Sequence, residues 1–253
     1  MEPDYNDFKK FSLSEGISSL NFEHYERRLA ASTNSLEHFD RKVKADDLIT
    51  GLTPNVVDDR NSMQNSVILD VFSRLVRDRI IFLGTGIDSQ VGNIICAQML
   101  YLEMADPKKD INLYVASPGG AVTSGLAIIR TMDYISPKVA TSALDIAASM
   151  GFMILCCGYP GMRSALLSTR IMAHQISGGA QGTHSDMKIR MKEMEILEKE
   201  LYTLIGERCG LDYKEVVEKC DRDLWLSPEE ARTWGKHGVI DNIIGRNNEK
   251  FKG

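Results

Sequence analysis

No apolar run in this sequence is long enough to cross a bilayer. The longest, Met150 to Cys157, falls far short of the roughly 20 residues a spanning helix needs, so no membrane partner is expected. The N-terminus lacks a charged n-region followed by an apolar h-region, and acidic residues are plentiful among the first fifty, which argues against a secretory signal or an intact transit peptide. Basic patches are missing as well. With a formal net charge of −5 and no cluster to neutralise phosphates, nucleic acid is excluded as the main partner. There is no Gly-x-x-x-x-Gly-Lys-Ser/Thr loop, so the chain cannot itself couple ATP to work. Cysteines are few and odd in number, with no Cys-x-x-Cys pair. Cys96, Cys156, Cys157, Cys209 and Cys220 read as reduced core thiols of a cytosol-like compartment, and no metal site is expected. Internal repeats and low-complexity tracts are also absent.

What is present suffices for one soluble domain, since 43% of 253 residues are hydrophobic. Residues 1–50 mix weak apolar patches with charge and read as a poorly ordered extension or propeptide, and the polar stretch Thr53 to Ser66 reads as a loop. From Val67 the patterning becomes regular. Arg79–Gly84 and Ile111–Ala116 read as strands, separated by a helix that Asp88 or Ser89 caps and whose apolar face holds Val91, Ile94, Ile95, Met99 and Leu100. Ser117-Pro118-Gly119-Gly120 leads into a helix through Leu126 and Met132; a strand at 138–144, a helix behind Ser149 and two short strands near 163–167 and 170–175 come next. Strands alternating with crossover helices predict an α/β fold with a parallel sheet. Ser185 is expected to open the longest helix, in which Met187, Met191, Met194, Leu197, Leu201 and Leu204 recur every three or four residues, and Gly210 to end it. Asp212 with Glu215 and Ser227 with Glu230 are capping boxes, joined by a link through Asp221, Arg222 and Asp223.

The chemistry centres on Thr141 to Gly182. Ser149 follows an apolar strand and precedes a buried helix, so the Met150 N–H at the helix start can stabilise a developing oxyanion. Gly120 offers a second backbone donor, because a residue without Cβ lets a carbonyl approach closely. His174 is the one histidine in a strongly patterned apolar segment, which makes it a candidate general base. Spacing leaves Asp145, Asp186, Asp221 and Asp223 all open as the group that fixes its tautomer. Each feature alone fits an ordinary packing role.

These motifs, in this order, resemble the proteolytic subunits of the Clp protease family. Ser117-Pro118-Gly119-Gly120, Ala147-Ala148-Ser149-Met150-Gly151, Arg170 to Gln175, Gly178 to Gly182 and Asp221-Arg222-Asp223 carry the likeness, which runs from about Leu52 to Ile244. The resemblance implies a crotonase-like spiral of βαβ units with a protruding handle at 176–208. It makes Ser149 the nucleophile, His174 the base and Asp223 the orienting acid of a serine endopeptidase, with Gly120 and Met150 as oxyanion donors. It further implies that Gly178, Gly179, Ala180, Gln181 and Gly182 form a substrate-binding strand, that Asp221 and Arg222 meet across two stacked heptameric rings, and that residues 51–66 form the axial pore loop before a 67–253 peptidase domain. No cofactor is implied for this chain; ATP is used by a partner AAA+ Clp ATPase of the ClpX or ClpA/ClpC type that delivers unfolded proteins in the cytoplasm. The ATPase's docking pocket would include Leu100, Tyr101, Tyr114 and Tyr134, with Asn112 where the family often has an aromatic. Ala116 and Asp145-Ile146 depart from the family without removing a catalytic group. Two rivals differ in their demands. A non-catalytic ring subunit would lack a triad member, and all three are present; a coenzyme A enzyme of the crotonase superfamily would have no use for the Ser149, His174 and Asp223 set.

Overall fold

The computed structural model describes residues 55–58, 67–179 and 181–245. The expected extension at 1–50, most of the 51–66 loop, and Ala180 lie outside them.

A first hairpin pairs β1 (Asn55–Asp58) with β2 (Val67–Asp70) antiparallel, so part of the stretch expected to be loop is strand. Asp70 ends β2 and starts α1 (Val71–Arg77), its carboxylate accepting from Phe72 and Ser73 N–H, each at 3.0 Å. Hydrogen bonds to Ser73 hold that carboxyl below its ordinary value.

The main sheet obeys the expected parallel logic. β3 (Ile80–Leu83), β4 (Ile111–Ser117), β5 (Val139–Ala148), β6 (Arg163–Leu166) and β9 (Asn242–Ile244) lie side by side, each parallel to its neighbour. Two crossover helices, α2 (Ser89–Ala105) and α3 (Val122–Tyr134), bury their apolar stripes against it. On α2 the buried stripe is Gly92, Ile95, Met99 and Leu102; Ile94 and Leu100, expected on that face, are exposed. A one-residue error in phase rotates a helix by about 100°, enough to move them out.

β5 is longer than its apolar run, and it forks the sheet. Thr141 to Ala143 pair with β6, whereas Ile146 to Ala148 pair with β7 (Arg170–Ala173). β7 in turn carries β8 (Leu224–Leu226) antiparallel, a strand where only a link was expected. Beneath the fork sits α4 (Met150–Cys156), every residue of which is buried; Phe152 meets Trp234 edge-on, with ring centroids 5.8 Å apart.

α5 (His184–Cys209) opens one residue before the expected Ser185, because Thr183 and Asp186 form a capping box, and Gly210 closes it in the left-handed conformation. Only its last third is buried, at Leu201, Tyr202, Ile205 and Cys209; Met187, Ile189, Met191 and Ile196 face outward. The helix therefore begins well inside the expected 176–208 handle. α6 (Tyr213–Lys219) and α7 (Pro228–Arg232) start at the two predicted capping boxes. Cys156, Cys157, Cys209 and Cys220 are buried, Cys96 is half-buried, and all five thiols are free. Arg163, 3% exposed, is clamped by Asp241 and by the carbonyls of His237 and Gly238, which ties β6 to the turn before β9. No helix among the described residues is long and apolar enough to cross a membrane.

Candidate active site

Ser149 is the hinge between β5 and α4. Its backbone takes φ +56° and ψ −122°, a conformation L-residues rarely adopt and one that surrounding structure must enforce. Two bonds do so: the Ser149 N–H donates to Met172 O at 2.9 Å, and Ser149 O accepts from Met153 N–H at 3.1 Å. The hydroxyl caps nothing in the helix, so it is available elsewhere. It lies 2.8 Å from His174 Nε2.

His174 comes directly after β7, whose residues Ile171 and Ala173 are buried. The serine and histidine are neighbours because β5 and β7 are paired, with Ala148 opposite Met172. β8 then selects among the four open aspartates. Its register sets Ile171 against Leu226 and Ala173 against Leu224, and one further step places His174 beside Asp223. Asp223 Oδ1 lies 3.6 Å from His174 Nδ1, an ion-pair separation longer than a hydrogen bond. The other three are occupied or remote from that nitrogen: Asp186 caps α5, Asp221 pairs with Arg222 at 3.4 Å, and Asp145 sits exposed on β5.

The Ser-Pro-Gly-Gly turn runs under the serine. A Cβ on Gly119, which has φ +93°, would fall 2.6 Å from Ser149 Cβ and 2.7 Å from Ala148 O. At Gly120 a Cβ would meet Ile87 O at 2.1 Å. Both positions are closed to any side chain. Ile87 N–H donates to Gly119 O and Ile87 O accepts from Ala121 N–H, so in this strand-like pairing the Gly120 N–H is turned to the opposite edge. Gly120 and Met150 line one small cavity with Ser149 and His174, and Met150 is the first residue of α4, where helix N–H groups have no internal partner.

Two supporting residues are not evident from the sequence alone. Ser117 is fully buried, donates its hydroxyl to Thr85 O at 2.6 Å and accepts from Gly119 N–H at 3.2 Å, fastening the turn. Gln175 Nε2 donates to Asp221 O at 2.6 Å, holding the aspartate segment beside the histidine. A serine before Pro-Gly-Gly and an amide after the histidine are the only signals the sequence offers for them.

The other expected site residues lie further from the serine. Gly178, Gly179, Gln181 and Gly182 are exposed and belong to no strand, and Ala180 lies outside the described residues. Asp221 and Arg222 are exposed. Leu100, Tyr101 and Tyr134 are exposed and Tyr114 is half-buried; a separate apolar cavity of about 300 Å³ between α1, β3 and α2 is lined by Phe72, Phe82 and Ile94 and by none of those four. Among the described residues no cluster of three or more His, Cys, Asp or Glu could hold a metal.

The family model described as Clp protease matches residues 63–247. The chain is 47% identical over 193 residues, 76% of its length, to an ATP-dependent Clp protease proteolytic subunit of Bacteroides fragilis, 91% of which is covered. It is 46% identical over the same span to a protein of that name from Bacteroides thetaiotaomicron, 86% of which is covered. A match of this length and identity settles membership: the chain belongs to the Clp protease family of serine peptidases.

Proposed function

We propose that this chain is the proteolytic subunit of a barrel-shaped Clp protease in which Ser149 is the nucleophile, His174 the general base and Asp223 the orienting acid. The observation that carries the reading is the 2.8 Å contact between His174 Nε2 and the uncapped hydroxyl of a positive-φ serine. Ser149 Oγ attacks the peptide carbonyl carbon as its proton passes to His174 Nε2. The carbonyl oxygen, now anionic, is held by the Gly120 and Met150 N–H groups. Collapse breaks the C–N bond, and His174 returns the proton to the leaving amine. Water then attacks the acyl-serine, giving its proton to His174, and the ester bond breaks to restore the hydroxyl. Asp223 keeps the Nδ1 proton in place throughout and offsets the imidazolium charge.

Gly178 to Gly182 supply backbone along which an extended substrate lies; the exposure of Gly178, Gly179, Gln181 and Gly182 and their lack of strand partners support this. The outward Met187, Ile189, Met191 and Ile196, with Asp221 and Arg222, suit contacts between two stacked heptameric rings of this same chain. Folded substrates reach the chamber through an AAA+ Clp ATPase, which consumes the ATP and docks on exposed apolar residues including Tyr101 and Tyr134. This reading places the particle in the cytoplasm. A fluorophosphonate probe should label Ser149 in the assembled protein and fail to label Ser149→Ala. No labelling of the assembled wild type refutes the peptidase reading, and a mass other than that of fourteen subunits refutes the two-ring assembly.

A further inference from the structure

Ser117 is a polar residue at the end of an apolar row. Ile111, Leu113 and Val115 alternate along β4 and are fully buried on one face of the sheet; Ser117 continues that row and is buried as completely. Packing alone favours an aliphatic side chain there, because burying a hydroxyl is costly unless it is hydrogen-bonded. Both capacities of this hydroxyl are used. Its proton is donated to Thr85 O at 2.6 Å and its oxygen accepts from Gly119 N–H at 3.2 Å, so one side chain joins the loop after β3 to the turn after β4.

That junction lies behind the Gly120 N–H. Ser117 pairs with Ala147 across the sheet, two residues before Ser149, which sets the turn beside the nucleophile. Ile87, in the loop that Ser117 grips at Thr85, donates its N–H to Gly119 O at 2.8 Å and accepts from Ala121 N–H at 2.7 Å. The peptide plane that carries Gly119 O and Gly120 N–H is thus held at its oxygen by Ile87, and the plane before it is held at the Gly119 N–H by Ser117. Bonds must do this work because dihedral preference does not. Gly119 at φ +93° and Gly120 at φ +149° occupy regions that favour glycine, and glycine is also the residue freest to leave them. Without the hydroxyl, the Gly119 N–H loses its acceptor, the Thr85 loop loses its tie, and both restraints on the Gly120 N–H slacken together.

On the serine peptidase reading, on which this role rests, that N–H is one of two donors to the oxyanion. We infer that Ser117 is a positioning residue whose hydroxyl aims the Gly120 N–H at the substrate carbonyl oxygen without itself touching substrate. Losing one oxyanion donor outright costs about 10²- to 10³-fold in kcat, so loosening one by Ser117→Ala should cost roughly 10- to 100-fold, with KM changed by no more than about threefold. A pair of peptide esters that differ only in oxygen or sulfur at the scissile carbonyl tests this, since the larger and weaker-accepting sulfur gains little from donors placed for oxygen. The assembled full-length wild type should prefer the oxygen ester by at least about 100-fold in kcat/KM, and Ser117→Ala should narrow that preference by about tenfold or more. A merely structural role would slow both esters alike. Ser117→Cys, close in volume but a weaker donor and acceptor, should fall between the two proteins and carries the test if the alanine variant does not fold. An active Ser117→Ala enzyme with an unchanged oxygen-to-sulfur preference overturns the inference, as does a Ser117→Cys enzyme that matches wild type in rate and preference. Hydrolysis of neither ester by wild type, with no covalent labelling of Ser149, overturns the peptidase reading itself.

Discussion

Asp223→Asn is the most informative perturbation, because the structure sets an unusual magnitude for it. The change keeps the shape of the side chain and removes the charge that faces His174 Nδ1 across 3.6 Å. At that distance Coulomb's law gives about 4 to 5 kcal/mol at an effective dielectric near 20 and about 1 kcal/mol in bulk water. Asp223 is 63% exposed and His174 22%, which puts the pair towards the watery end. We expect a loss of about 1.5 to 3 kcal/mol of transition-state stabilisation, or roughly 10- to 150-fold in kcat, at 1.36 kcal/mol per decade. A buried, hydrogen-bonded aspartate in the same role is worth about 10⁴. The assay is hydrolysis of a short fluorogenic peptide, which needs no ATPase, at low and at high salt. An exposed pair is screened, so the gap between wild type and variant should shrink as salt rises. Activity within twofold of wild type would mean that another carboxylate orients His174. A loss beyond 10⁴ would mean that the working contact is far drier than its exposure implies, and the discount for solvent would be wrong.

Two further expectations come from packing. Gly119→Ala places a methyl 2.6 Å from Ser149 Cβ at φ +93°, so peptide hydrolysis should fall at least about 100-fold while circular dichroism stays near native; near-normal kcat would show that the turn yields without moving the serine. Asp241→Ala leaves Arg163 buried with carbonyls alone and should cost about 3 to 5 kcal/mol, lowering Tm by roughly 6 to 20 °C. Burial pushes Asp241 up, yet its bonds to Arg163 outweigh that and hold its carboxyl below the ordinary 3.8, so the wild-type clamp is intact above that pH and is lost as pH falls below it. The Tm gap between the two proteins should accordingly narrow progressively as pH falls below 3.8 and towards the lower folded value; a gap that does not narrow with acid would refute the assignment.

Much of the site was legible in the sequence because its parts obey local rules. An apolar strand before Ser149, a buried helix after it and a patterned strand before His174 marked the two residues as candidates without any knowledge of the sheet, and the structure sets them side by side. Choosing Asp223 from the residues alone was not possible. The choice depends on β8, and Leu224-Trp225-Leu226 is three residues long, too short to show alternation. β5 looked as though it stopped at Leu144 because Asp145 interrupts the apolar run, yet Asp145 sits exposed where the strand passes from one partner to the other. On α5 the methionines have helical spacing, but Met187 and Met191 point outward, and a helix pattern cannot say whether their cover is the same chain or another. The fastening role of Ser117, though its motif stands out, was hidden for a different reason: it lies in a bond to Thr85 O, 32 residues away.

The fork in β5 separates the molecule into two mechanical prongs. One holds β6 and β9, with Arg163 riveted to Asp241; the other holds β7 and, beyond it, β8. Ser149, at the end of β5, is tied to the second prong, since its N–H is bonded to Met172 O and His174 lies two residues on. Asp223 hangs one strand further out, just before β8. The geometry accordingly makes the 3.6 Å Asp223–His174 contact the more exposed of the two links and the 2.8 Å Ser149–His174 contact the more sheltered one.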